Sequence, residues 1–426
     1  FQTVKRVVEQ FQDRAYQPLW YWAALCSLTT DDLIGSPTPL GWSCARPEQQ
    51  KKLLCLYHEP IAEASVVVLA LVKELQLKVN PLKVEELLRC WILNCFEHSD
   101  DPEGYSAYFV SSFMSHSCKP NAIWHEGPDA IHVVRARLDI QEGEEICISY
   151  LSEDMLMFSA VHRKKALRKT KLFTCTCERC QDVGGSGIVD GCRGFRCPFC
   201  ASCGLFPPPS TLRAKDLACV PCASCGRPCG DYAEGLLETE KELRQRLQSM
   251  DEASSLQLSE EDVRQMEEMV GNRASGALGP QHWLCERLWT FLVSWLESKN
   301  RRMEALQLLE KRVSCQGKMF PWPNATRAWT MQKCCRLLLR QYKNAQDKAR
   351  GVRKASKDDG PRRLLARART LQEEALRLLA LLFGHEHRYA VRAKKKLRRL
   401  KALADKARPA AESVTVSAAA EGALTQ

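Results

Sequence analysis

The sequence predicts an α+β chain in which a β-rich middle lies between two helical regions, with cysteine-rich segments at the second junction. Three observations lead there. Residues 105–150 carry short β-like runs, AIHVVRA (130–136) and EICISY (145–150), separated by a turn at Gln141, Glu142 and Gly143. Beyond Tyr232, apolar residues recur at three- and four-residue spacing through six successive stretches. Between these regions lie eleven of the chain's twenty-two cysteines, Cys175 to Cys229.

Residues 1–93 read as largely helical, broken at 33–47 by Gly, Ser and Pro. Helices are expected over 59–77 and 82–96, split by Asn80 and Pro81. A basic helix over 162–171 leads into the cysteines. The six later stretches, 234–250, 260–270, 281–299, 302–315, 325–342 and 361–382, suggest paired helices in a TPR-like array, although no exact repeat is visible. The Ala-, Ser- and Thr-rich residues 409–426 are expected to be disordered. The expected organisation is 1–93 helical, 94–172 β-rich, 173–181 and 182–232 cysteine-rich, 233–408 helical array and 409–426 tail.

The 426 residues suggest two to three domains. No apolar run reaches the length of a membrane-spanning helix, and no membrane association is expected. The start lacks the apolar centre of a signal peptide, and a first residue of Phe rather than Met reads as a fragment or processed chain. Residues 333–408 hold 24 Lys and Arg against 7 Asp and Glu, while the whole chain carries only +11. Such a block suits contact with an acidic protein or nucleic acid, and equally suits a solvated helical face.

Without a secretion signal, and with CxxC spacing dominant, the cysteines read as zinc ligands in a reducing compartment, nucleus or cytoplasm, rather than as disulfides. FTCTCERC places Cys175, Cys177 and Cys180 together, an incomplete tetrahedral shell. Cys118, in the distant run SHSCKPN (115–121), is the candidate fourth ligand. A second four-thiol set is Cys197 and Cys200 with Cys222 and Cys225, two CxxC knuckles. Cys192, Cys203, Cys219 and Cys229 remain alternative members, and eight thiols suffice for two ions. A nucleic-acid-binding finger is the rival, but no His ligand pair or basic recognition helix lies inside the cluster.

Taken together, SHSCKPN, GEEICISY (143–150) and FTCTCERC resemble the catalytic half of a SET domain with its post-SET zinc site. The RCPFC to CASCG segment and the helical C-terminus look like the SET and MYND domain family of protein lysine methyltransferases. GHEHRYAVRAKKKL, beginning at Gly384, resembles a helix start in that family's C-terminal domain. The resemblance implies S-adenosylmethionine as cofactor, zinc, and a protein substrate, histone or other, bearing the target lysine. By matching positions it implies a cofactor pocket of Asn94, Ser112, Ser115, His116 and Phe173. Phe96 would line the lysine channel and Tyr150 would be the catalytic tyrosine, with Cys118, Cys175, Cys177 and Cys180 as post-SET ligands. It also implies a SET-type β-fold in which the loop carrying Cys118 threads a pseudoknot.

Methyl transfer to an amine is an in-line displacement, so catalysis rests on orienting a neutral amine against the methyl carbon. A free lysine, with a pKa of about 10.4, is almost wholly protonated at neutral pH, so the channel must favour the uncharged form. Tyr150 suits alignment of the amine, and aromatic walls suit cationic partners. His116 is expected to act without ionising. Two residues depart from the family pattern, Ser115 in place of Asn and Lys171 in place of an aromatic. Neither the family's glycine-containing cofactor loop nor its MYND finger is found in this chain. The alternative to an enzyme is a non-catalytic SET-derived zinc scaffold that binds partners through its helices; a zinc-containing nucleic-acid binder is a weaker third.

Overall fold

Prolines and small polar caps punctuate the first five helices. In the computed structural model, which describes residues 1–11, 17–34, 43–98, 104–127, 131–181, 188–252, 259–271, 278–351 and 360–406, these are α1 (Gln2–Gln10), α2 (Pro18–Cys26), α3 (Pro47–Leu54), α4 (Val66–Glu74) and α5 (Pro81–Asn94). Pro opens α2, α3 and α5 at the first helical position, where its missing N–H costs nothing. The expected 59–77 helix begins only at Val66 because Ser65 caps it, its hydroxyl accepting from the Val68 N–H. The five helices bury one cluster built on Val7, Tyr21, Leu25, Leu71 and Leu88.

Strands follow in pairs. β1 (Cys95–His98) and β2 (Gly104–Ala107) are antiparallel, as are β3 (Ala122–Glu126) and β4 (His132–Ala136). Phe96, expected at a helix end, is therefore a strand residue opposite Ser106. The 145–150 run forms no named strand. It makes a single parallel bridge, His116 with Ile148, and its other backbone bonds go to the 115–122 loop: Ser117 N–H to Ile148 O, Ile148 N–H to Ser115 O and Ala122 N–H to Cys147 O, each 3.0 Å. Pro120 lacks the N–H a regular ladder would require, and the Asn121 side chain fills in by accepting from the Cys147 N–H at 2.8 Å.

The remainder is α6 (Ala160–Lys171), β5 (Arg193–Phe195), α7 (Ala214–Ala218), α8 (Ala233–Glu252), α9 (Glu260–Gly271), β6 (Leu278–His282), α10 (Trp283–Ser298), α11 (Arg302–Met319), α12 (Ala325–Gly351), α13 (Gly360–Phe383) and α14 (Arg388–Lys406). From α10 onward each helix packs on the next, a C-terminal helical array. The expected 281–299 helix starts later because residues 278–282 pair with β5, and the His282 ring caps α10 by accepting from the Leu284 N–H. The largest core joins this array to the cysteine-rich segment. Two buried ion pairs, Arg193 with Glu240 and Arg312 with Glu286, both 2.6 Å, cross it.

The β-region is fastened to the array. Glu153 accepts from the Ala325 N–H at 2.9 Å at the start of α12, and Arg137, its side chain buried, pairs with the same carboxylate. Arg135 reaches the Leu381 carbonyl at the end of α13. Among the described residues no helix is long and apolar enough to cross a membrane. The 409–426 tail lies outside the described residues, as does the middle of the 33–47 break.

Candidate active site and thiol clusters

The 115–122 loop carries Cys118 beneath the 145–150 segment, and the turn after α6 brings Cys175, Cys177 and Cys180 to it. Their sulfurs all lie within 4.8 Å of one another. Cys118 is 3.6 Å from Cys180 and 4.0 Å from Cys175, and is wholly buried. A tetrahedron of zinc–thiolate bonds of about 2.3 Å has sulfur–sulfur edges of about 3.8 Å, so the donor set fits zinc. The Cys118 N–H points at the Cys177 sulfur at 3.4 Å and Arg163 at Cys180 at 3.7 Å. Hydrogen bonds from Cys118, Cys175 and Cys180 pull the Cys177 thiol well below its ordinary pKa, favouring a thiolate.

The second set, Cys197, Cys200, Cys222 and Cys225, also lies within 4.8 Å, with Cys197–Cys225 and Cys200–Cys222 both 3.7 Å apart. It fits the same ion for the same reason. Each knuckle is a tight turn, closed by Ala201 N–H to Cys197 O and Gly226 N–H to Cys222 O. A Cβ at Gly204 would meet the Cys222 sulfur at 2.6 Å, so only glycine fits there. The other four cysteines of the segment are engaged elsewhere: Cys192 with Met319 O, Cys219 with Lys215 O, Cys229 with Leu217 O, and Cys203 against Gly279.

A cavity of about 630 Å³ opens where α2, the end of α5, β1, the 149–155 segment and α6 meet. This volume is within the roughly 300–1,000 Å³ typical of small-molecule sites. Asn94, Phe96, Ser112 and Tyr150 share its wall with Trp20, Trp124 and Lys171. The Asn94 amide donates to Cys90 O at 3.0 Å, and the Ser112 hydroxyl to Tyr108 O at 2.9 Å, so both side chains are held in place. Phe96 stands edge-on to Trp124 at 5.0 Å. The Tyr150 hydroxyl donates to Met114 O at 2.6 Å, and burial raises its pKa, so it is a neutral phenol with free acceptor lone pairs.

Ser115, His116 and Phe173 do not line this cavity. Ser115 is exposed and bonded to the Glu145 carboxylate. Phe173 stands edge-on behind Tyr150, ring centres 6.1 Å apart. His116 accepts the Tyr150 N–H on Nδ1 at 3.0 Å, which puts its proton on Nε2, 3.3 Å from the Cys118 sulfur. Burial lowers its pKa to about 4, so it is a neutral link between the thiol cluster and Tyr150. Nothing in the sequence indicated that link, nor the contribution of Trp20 from α2.

Residues 24–151 match the SET domain family. Chicken "Protein-lysine N-trimethyltransferase SMYD5" is 42% identical over 90 residues, 21% of this chain and 20% of that protein. Drosophila melanogaster "SET domain-containing protein SmydA-8, isoform B" is 30% identical over 149 residues, 29% of this chain and 33% of that protein. Human "Histone-lysine N-methyltransferase SMYD3" is 46% identical over 79 residues, 18% and 17% of the two chains. The matched stretch thus spans no more than a third of the length of these relatives. Cys118 and Tyr150 lie inside the matched stretch, and Cys175, Cys177, Cys180 and Lys171 join them from beyond it, so that the chain carries a SET domain of the SMYD type.

Proposed function

We propose that the chain transfers a methyl group from S-adenosylmethionine to the side-chain amine of a lysine in a protein substrate, histone or other. The observation that carries this reading is the placement of Tyr150 on the cavity wall, its hydroxyl committed as a donor to Met114 O and its backbone tied through His116 to the Cys118 cluster. The bound cofactor would supply an electrophilic methyl on a sulfonium, and Asn94 and Ser112 would hold it. Tyr150, already donating, accepts a hydrogen bond from the incoming amine and so aims the nitrogen lone pair. Phe96 and Trp124 exclude water, which favours loss of the lysine proton before transfer and leaves aromatic faces for the methylated cation.

The zinc ions would hold the scaffold: the first would fix His116 and so Tyr150, and the second the junction with the array. Nucleus or cytoplasm is the compartment proposed, because free thiols persist there. The test is incubation of the chain with methyl-labelled S-adenosylmethionine and a mixture of histones and cytosolic proteins. Label on lysine that Tyr150→Phe reduces at least tenfold is the expected result; absence of both label and cofactor binding overturns the reading. A second reading, a zinc scaffold that binds proteins without turnover, has one observation in its favour, the cation of Lys171 inside the cavity.

A further inference from the structure

Lys171 is the last residue of α6, and the turn after it is fixed by Leu172 in the left-handed region, φ 60. A non-glycine residue is seldom held there. The turn leaves the Lys171 side chain in the cavity, where its ammonium donates to Leu93 O at 2.7 Å and approaches Ile92 O at 3.4 Å. These are carbonyls of the last turn of α5, which have no partner within the helix and carry its negative dipole end. The same ammonium lies 5.7 Å from the centre of the Tyr150 ring. Lys171 therefore occupies, from inside the chain, a place built for a cation: two carbonyl acceptors on one side and an aromatic face on the other.

Resting on the methyl-transfer reading, we infer that Lys171 is a specificity-determining residue that sets how strongly the cavity discriminates between a cationic and a neutral ligand. The cavity wall carries the Lys171 ammonium and, on β1, the Glu97 carboxylate; a ligand bearing a sulfonium meets repulsion from the first, which in a cavity poorer in water than the bulk is weakly screened. Burial lowers the pKa of the amine, in the direction expected for a desolvated cation, while the Cys95 thiol pulls the other way. Loss of the methyl group from the cofactor leaves a neutral thioether, which escapes the repulsion. The Lys171 charge therefore shifts the balance of affinities toward the spent form of the cofactor.

The experiment is calorimetric titration of the whole chain with S-adenosylmethionine and, separately, S-adenosylhomocysteine, which differ by one methyl and one charge. Wild type, Lys171→Met and Lys171→Arg are compared, with zinc content and circular dichroism as controls for folding. Lys171→Met is expected to shift the affinity ratio toward the sulfonium by about tenfold or more, while Lys171→Arg keeps the wild-type ratio within about twofold. Binding with the same ratio in wild type and Lys171→Met overturns the inference and leaves the methyl-transfer reading standing, as does an Arg variant that behaves like Met. Failure of every form to bind either compound overturns the reading itself and the inference with it.

Discussion

Replacing Cys118 by Ser tests whether the first thiol cluster holds the tyrosine in place. Cys118 and Cys175 are 57 positions apart in sequence and 4.0 Å apart at their sulfurs. A bond chain through a metal ion closes that loop, and by the cross-link relation a loop of this length is worth about 4 kcal/mol of lost unfolded-state entropy. The variant leaves three sulfurs, so metal analysis is expected to fall from two zinc ions per chain to one. Because His116 Nε2 lies 3.3 Å from the missing sulfur and Nδ1 accepts the Tyr150 N–H, hydrogen exchange is expected to quicken across 115–122 and 145–151. Cys225→Ser is the matched control, losing one zinc from the second cluster while 145–151 stays protected. Two ions retained by Cys118→Ser, or equal loosening of 145–151 by both variants, would refute the reasoning.

Tyr150→Phe keeps the ring packing against Phe173 and loses the bond to Met114 O; turnover is expected to fall at least tenfold, with zinc content and cofactor affinity nearly unchanged, by label incorporation beside calorimetry. Burial lowers the pKa of His162 to about 4, against about 6.5 when unfolded, so the unfolded chain takes up more protons between these values. Stability present above pH 6.5 is therefore expected to decline as pH falls toward 4, by about 3 kcal/mol from this residue, and His162→Gln should flatten that segment of a denaturant-midpoint profile. Arg312→Met leaves the Glu286 carboxylate buried without its cation, and a loss of about 3–5 kcal/mol in chemical denaturation is expected, against little change for the exposed pair Arg264–Glu261. Glu153→Gln removes the charge that faces buried Arg137 at the head of α12; exchange is expected to quicken in both 145–153 and the first turn of α12, with both zinc ions retained.

Cysteine spacing was the most legible feature, because a CxxC or CxCxxC run is a local geometry that few other roles require. Cys118 was readable only as the missing fourth donor, and the structure brings its sulfur to the other three. Helix existence was likewise local, whereas boundaries turned on single side chains: Ser65 capping α4, or His282 ending a strand that the 281–299 pattern had absorbed into a helix. The 145–150 segment alternates like a strand, yet its partner is a proline-containing loop some thirty residues away, and no period in the sequence encodes that. His116 was legible as neutral but not as a link, since its two bonds join residues 34 positions ahead and two positions ahead, through opposite ring nitrogens.

The lack of a regular ladder around Tyr150 explains why the chain needs so many attachments there. A central strand is positioned by neighbours on both sides, but 145–150 has one bridge and a handful of loop bonds. Placement of the phenol must come from side chains instead: His116 from the thiol cluster, Asn121 on the Cys147 N–H, and Glu153, three residues beyond, capping α12. His116 and Asn121 reach the segment from one loop and Glu153 ties its far end to the array, all within a stretch of nine residues, so the positional freedom left to Tyr150 is their joint remainder rather than a property of any one. On this view the cysteine-rich segments and the C-terminal array belong to the site's geometry. Lys171 enters the cavity by the same logic, carried there by a helix end whose turn leads directly into the first thiol cluster.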